Sequence, residues 1–136
     1  MPFITPFTGT CDEMSNHRTL KVWKDSRALV VRIYRATDRF PREEKFGLTE
    51  QMRKAASSIP CNIAEGHGRW TRRDCRNFLY IARGSAFELD TQLYLAEDLG
   101  WMTQHEAEAL RASTDEISKM LSGLIRYYTR ASPPKP

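Results

Sequence analysis

The sequence is poor in the residues from which most catalytic and metal sites are built. Among 136 residues there are three histidines and three cysteines. His17, His67 and His105 fall in separate segments, and no glutamate is followed three residues later by histidine, the pairing used by metal-binding four-helix bundles. Cys11, Cys61 and Cys75 are odd in number and have no close paired spacing, so free thiols in a reducing compartment, serving as small core residues, are expected. A thiol site from Cys61, His67 and Cys75 would have a spacing unlike the usual zinc patterns. Gly66 and Gly68 follow no strand and make no dinucleotide fingerprint. Ser57 and Ser58 have no base nearby and read as packing or backbone-bonding hydroxyls. The expectation is no enzyme, no metal and no cofactor.

Long hydrophobic runs are absent too. No stretch approaches the roughly 18 apolar residues of a membrane-spanning helix, and MPFITPFTGT lacks a basic start and a continuous apolar run. A cytoplasmic protein with no membrane contact is expected. Hydrophobic content of 40% and charged content of 28% fit an ordinary folded domain.

What the sequence does have is helical period. From Leu48 onward, Met52, Ala55, Ala56, Ile59 and Ile63 recur at helical spacing, with Thr49 as the expected N-cap and Gly66 and Gly68 as C-cap material. Pro60 sits inside this pattern and predicts a kink, because it removes an amide and crowds the preceding turn. An earlier helix is predicted from about Thr19 to Asp38, with Trp23, Ser26, Val30, Ile33 and Thr37 on one stripe and Val22, Leu29 and Ala36 on a second. A third starts at Thr71, boxed with Asp74, and runs to Leu99. Its seam is read through Cys75, Phe78, Ala82, Ser85, Leu89, Gln92, Ala96 and Leu99. The fourth opens with Thr103 and Glu106 and continues through Ala107, Leu110, Thr114, Ile117, Leu121, Leu124 and Tyr128. No alternating strand and no internal repeat is present. The fold class is therefore all-α, an antiparallel up-down-up-down four-helix bundle over residues 19–130, with residues 1–18 as an extended arm and 131–136 as a tail.

One stretch carries a family resemblance: Gln51-Met52-Arg53-Lys54-Ala55-Ala56, then Ser58-Ile59-Pro60-Cys61-Asn62-Ile63-Ala64-Glu65-Gly66. It continues upstream in Lys21-Val22-Trp23 and in Phe40 to Leu48, and downstream in Phe78-Leu79, Ile81-Ala82, Gly84-Ser85, Glu88-Leu89 and Gln92-Leu93. These residues resemble the bacterial four helix bundle protein family, first noticed as reading frames inside intervening sequences of large-subunit ribosomal RNA genes. Cys61 departs from the family's usual small polar residue, and the first 17 residues have no counterpart. The resemblance implies a closed ring of five bundles with a positively charged surface. It also implies kinship with the accessory subunits of diversity-generating retroelements, which bind a reverse transcriptase and nucleic acid. Gln51, Arg53, Asn62, Glu88 and Gln92 match family positions and are expected to hydrogen-bond between helices.

Charge is unevenly spread behind a net value of +4: residues 18–83 hold 16 Lys/Arg against 7 Asp/Glu, and residues 84–117 hold 1 against 8. In the expected topology one bundle end collects Arg18, Lys21, Lys24 and Arg27, then His67, Arg69, Arg72, Arg73 and Arg76, then Arg126 and Arg130. Such an end suits phosphate oxygens, and the Trp70 ring suits stacking on an unpaired base. The candidate nucleic-acid contacts are Lys21, Lys24, Arg27, Arg69, Trp70, Arg72, Arg73, Arg76 and Arg126. The alternative is a solvated charged end on which Trp70 only packs.

Behind the third seam, Tyr80, Phe87, Tyr94 and Trp101 recur every seven residues, a candidate interface with another copy of the chain. The alternative is a rotated seam with the aromatics at the core edge. Taken together, the sequence predicts a non-enzymatic homo-oligomeric scaffold, pentameric by resemblance, that binds nucleic acid with structured RNA favoured. A protein adaptor docking an acidic partner or a reverse transcriptase is the rival reading.

Overall fold

The computed structural model describes residues 16–130, and within them the chain is all-helical. A short 3-10 turn, His17–Thr19, leads into α1 (Lys21–Thr37). Another, Arg42–Glu44, precedes α2 (Leu48–His67), and α3 (Arg72–Asp98) and α4 (Gln104–Arg130) follow. Residues 1–15 of the expected 1–18 arm and the expected tail at 131–136 lie outside the described residues, whereas His17 and Arg18 belong to the first turn.

Side-chain pairs between helices fix direction and register. Arg32 donates to the Ser113 hydroxyl at 2.7 Å, and Arg39 pairs with Glu106. Moving seven residues forward on α1 moves seven back on α4. Arg53 Nε donates to Thr37 Oγ1 at 2.9 Å, linking the start of α2 to the end of α1. Ser85 donates to Ser58 at 2.8 Å, Arg83 to Ser122 at 3.1 Å, and Arg111 to Glu97 at 2.9 Å. Every sequence neighbour is thus antiparallel, and α4 closes against α1. The result is a four-helix bundle.

The core follows the predicted periods with two shifts. Met52, Ala55, Ala56, Ile59 and Ile63 are all buried, as are Leu29, Ile33 and Ala36 on α1. On α3 the buried row is Cys75, Leu79, Ala82, Ala86, Leu89, Gln92, Leu93 and Ala96. Phe78 and Ser85 are only half-buried, and Leu99 is exposed. The seam is therefore turned by about one residue position from the predicted one, because α3 packs against two helices and buries an arc wider than a single row. On α4, Ser118 and Ile125 are buried, while Leu124 is half-buried.

Helix ends show a similar mixture. Thr71 accepts from the Asp74 amide at 3.1 Å and Thr103 from the Glu106 amide at 3.2 Å, as expected. Thr49 is not the cap of α2. The cap position falls two residues earlier, at Gly47, and the Glu44 carboxylate accepts from the Leu48 amide at 3.0 Å in place of a hydroxyl cap. α2 continues through Pro60 to His67. Gly66 lies inside the last turn, buried, and Gly68 follows as the cap residue.

Of the polar residues expected to bridge helices, Arg53 does so, whereas Gln51 and Glu88 are exposed. Asn62 bonds back to Ser58 within α2, and Gln92 reaches Glu88 within α3. The α2 to α3 bridge is made instead by Ser58 and Ser85. Cys61 is a free thiol but exposed, and Cys75 is buried but disulfide-bonded, so the expectation of free core thiols fails at both; Cys11 lies outside the described residues. No helix among the described residues is long and apolar enough to cross a membrane.

Candidate nucleic-acid interface

The start of α1, the end of α2, the start of α3 and the end of α4 meet at one end of the bundle. The loop between α2 and α3 is short, so Arg69 and Trp70 sit in the turn itself. α2 approaches α3 closely at Gly66, where an added Cβ would lie 2.8 Å from the Phe78 Cβ. The His17 and His67 rings stand 6.2 Å apart, and His17 is edge-on to Trp23 at 5.2 Å. The Arg72 guanidinium lies over the Tyr127 and Tyr128 rings, at 5.2 Å and 5.7 Å, joining α3 to α4. Burial pushes the Tyr128 phenol up from its ordinary pKa. Tyr127 adds to the rise, and the nearby Arg72 charge opposes it.

The predicted contact residues divide into cations that are engaged and cations that are not. Lys21 pairs with Asp25; the hydrogen bond and charge of that carboxylate hold the lysine above its ordinary pKa. Arg69 bonds Glu65 at 2.6 Å and stacks on Phe78 at 4.6 Å. Arg27 covers Trp23 at 5.4 Å. Arg76 is half-buried, and its enclosed Nε has no hydrogen-bond partner among the described residues. By contrast Lys24, Arg73 and Arg126 are exposed, and among the described residues none of them makes an ion pair. They come from three different helices. Trp70 is 82% exposed and does not pack against the core.

The first turn of α3 carries Arg72 and Arg73 with Asp74 as its only acid. Helix N-termini favour negative charge by about 0.3–1 kcal/mol, so these arginines gain nothing from the local field. Arg72 is taken up by the Tyr127 and Tyr128 rings, while the exposed Arg73 presents a planar, multidentate guanidinium beside the α3 amides.

The predicted aromatic stripe does not stay together. Tyr80, Phe87 and Tyr94 are 45%, 56% and 51% exposed. Trp101 is half-buried, its ring 5.6 Å from Phe40 at the other end of the bundle, which takes it off the open face. Sequence reasoning missed a second exposed apolar row on α3, formed by Ile81, Leu95 and Leu99. It also missed Arg83, which lies between Tyr80 and Phe87 at 5.2 Å and 5.9 Å from their rings. The spacing of three and four residues from Arg83 to those rings was the available signal.

These features define the class: an all-α four-helix bundle with one basic, partly unpaired end. Residues 18–123 match the 23S rRNA-intervening sequence protein family, and the chain belongs to that family. The fold is similar to the 1.70 Å crystal structure of a protein with unknown function from the S23 ribosomal protein family of Bacteroides thetaiotaomicron VPI-5482. The TM-score is 0.70 at 28% identity, covering 77% of this chain and 98% of that one. No curated protein matches the chain.

Proposed function

We propose that the chain is a non-enzymatic, self-associating scaffold that binds nucleic acid, structured RNA in preference, through the basic end of the bundle. The observation that carries this reading is that the start of α1, the α2–α3 turn, the start of α3 and the end of α4 share one end of the bundle, and that on them Lys24, Trp70, Arg73 and Arg126 are exposed, the three cations making no ion pair among the described residues. The family's name, which refers to intervening sequences of 23S rRNA, supports an RNA context. Phosphate neutralisation releases counterions, so binding should fall steeply with salt.

The test is an anisotropy titration of labelled structured RNA and duplex DNA at several salt concentrations, for wild type and for Arg73→Glu/Arg126→Glu. Both substituted positions are exposed, so the fold should survive. The variant is expected to bind at least about tenfold more weakly, with a salt slope reduced by roughly two. Binding unchanged by the double reversal would sink the proposal.

Self-association is proposed through the outer face of α3, where Ile81, Leu95 and Leu99 expose apolar surface with Tyr94 beside them. Repetition of the basic end in a ring of five, as the family resemblance implies, would let weak phosphate contacts act together. Light scattering should give a multiple of 15.7 kDa for wild type and a single chain for Leu95→Arg/Leu99→Arg.

One observation favours a protein-binding reading. Arg32, Arg35 and Arg39, the last paired with Glu106 on the same rim, edge a groove of about 420 Å³ between α1 and α4, floored by Ala36, Ala109 and Leu110. Its apolar floor suits an acidic peptide better than a bare phosphate chain. Competition of RNA against such a peptide separates the two readings.

A further inference from the structure

The surface between α3 and α4 holds a combination that, apart from Arg126, neither the basic end nor the self-association reading uses. Tyr80 and Phe87 are one heptad apart on α3, about 10 Å along the axis at 1.5 Å per residue. Each keeps about half its surface open. Arg83 sits between them over both rings, and its guanidinium is held by a 3.1 Å hydrogen bond to Ser122 of α4. Across from Tyr80, a hollow of about 440 Å³ is walled by Arg126, Arg130 and Thr129. A second hollow of about 240 Å³ beside Phe87 shares Ser122 and Arg126 with the first, so the two make one trough. Lys119 borders it but is paired with Asp115 at 3.0 Å. Arg126 and Arg130 make no ion pair among the described residues.

We infer that this trough binds a short single-stranded segment of nucleic acid, with unpaired bases on Tyr80 and Phe87 and the backbone phosphates along Arg126, Arg130 and Arg83. The chemistry argues for this occupant. Aromatic rings on one wall and arginines on the other match the two faces of a nucleotide, a flat apolar base and an anionic phosphate. A duplex buries its base faces in its own stack and offers these rings nothing. A second copy set on the trough by two-fold symmetry would bring this arginine-bearing patch against itself, charge facing like charge. Arg126 also belongs to the basic end, so the trough runs out of that surface along the bundle. The inference rests on the proposed nucleic-acid function and adds where unpaired bases go: a folded RNA would set its helical phosphates on the bundle end and a loop or tail in the trough.

The experiment uses the full chain with three labelled probes: a single-stranded RNA of about eight nucleotides, the same strand with abasic sites, and an RNA duplex of similar length. The variants are Tyr80→Ala/Phe87→Ala, the ring-preserving Tyr80→Phe/Phe87→Tyr, and Trp70→Ala at the bundle end. The alanine pair should weaken single-strand binding by about tenfold or more, since each stacked base contributes measurably, and leave duplex and abasic binding unchanged. The ring-preserving pair should bind as wild type. Equal loss on all three probes, or no loss on the single strand, overturns the trough. So does a fall in oligomeric mass of the alanine pair, which would assign the rings to a second copy. If wild type binds no probe, the proposed function fails as well. If wild type binds the duplex and only the ring variants are silent, the trough alone fails.

Discussion

Valine at position 66 is expected to be among the most damaging single substitutions in α2, even though glycine in a helix ordinarily destabilises. A Cβ there would lie 2.8 Å from the Phe78 Cβ and 3.1 Å from the Cys75 carbonyl oxygen. Both atoms are fixed close to the α3 backbone and cannot swing aside, so one helix has to lift from the other. Overpacking of this kind costs about 1–3 kcal/mol, occasionally more, and even Gly66→Ala should fall in that range. Gly84 is the internal comparison, because an added Cβ there meets nothing within 4 Å. Gly84→Ala should raise stability by roughly 0.5–1 kcal/mol, the usual gain at a helical glycine. Denaturant midpoints at constant slope read both. Two shifts of the same sign would mean that α2 and α3 do not touch at Gly66.

The other large effect is expected at the centre of α3. Leu89 is fully buried, and Leu89→Ala should cost about 2–5 kcal/mol through lost transfer energy and the cavity left behind. At roughly 4 °C per kcal/mol, that is a melting shift near ten degrees or beyond. Leu99→Ala, ten residues on and 54% exposed in the single chain, should stay within about 0.5 kcal/mol when both proteins are diluted to monomer, so that the proposed self-association does not contribute. The two positions belong to the same seam when only spacing is read, so the contrast between them measures where that seam ends. Thermal unfolding of both variants decides it.

That pair also shows what the sequence can and cannot say. Four helices, their order and most of their boundaries follow from apolar period, from the threonine caps at Thr71 and Thr103, and from the breaks at Gly68 and Gly100. Local chemistry sets these features, so local reading finds them. The rotation of α3 is set by two neighbours at once, and a one-dimensional period does not carry it. Rows through 78 and 85 and rows through 79 and 86 look alike until α2 and α4 are placed. Thr49 read as a cap because its hydroxyl suits one, yet Glu44 reaches the Leu48 amide from the preceding 3-10 turn. Cys75 could not be distinguished from a free core thiol by spacing.

The candidate site divides along the same line. That Arg69, Trp70, Arg72 and Arg73 share an end with Lys24 and Arg126 follows from topology alone. Which of them is occupied does not, because Glu65, Phe78, Tyr127 and Tyr128 claim individual arginines through side-chain geometry. The trough was hidden for a related reason. Tyr80 and Phe87 announce an aromatic row, but Ser122, Arg126 and Arg130 stand opposite them only once α4 has folded back.

The antiparallel register set by Arg32 with Ser113 and Arg39 with Glu106 brings the first and last described helical turns to the same pole. His17 and Arg130 therefore both belong to the basic pole. In practical terms, a fused domain joined directly at Asn16 or Arg130 would be tethered at the proposed docking surface and compete with its ligand. A dye or spin label belongs at the far pole, between Asp38 and Gly47 or at Gly100, where it reports on the bundle without standing in the doorway.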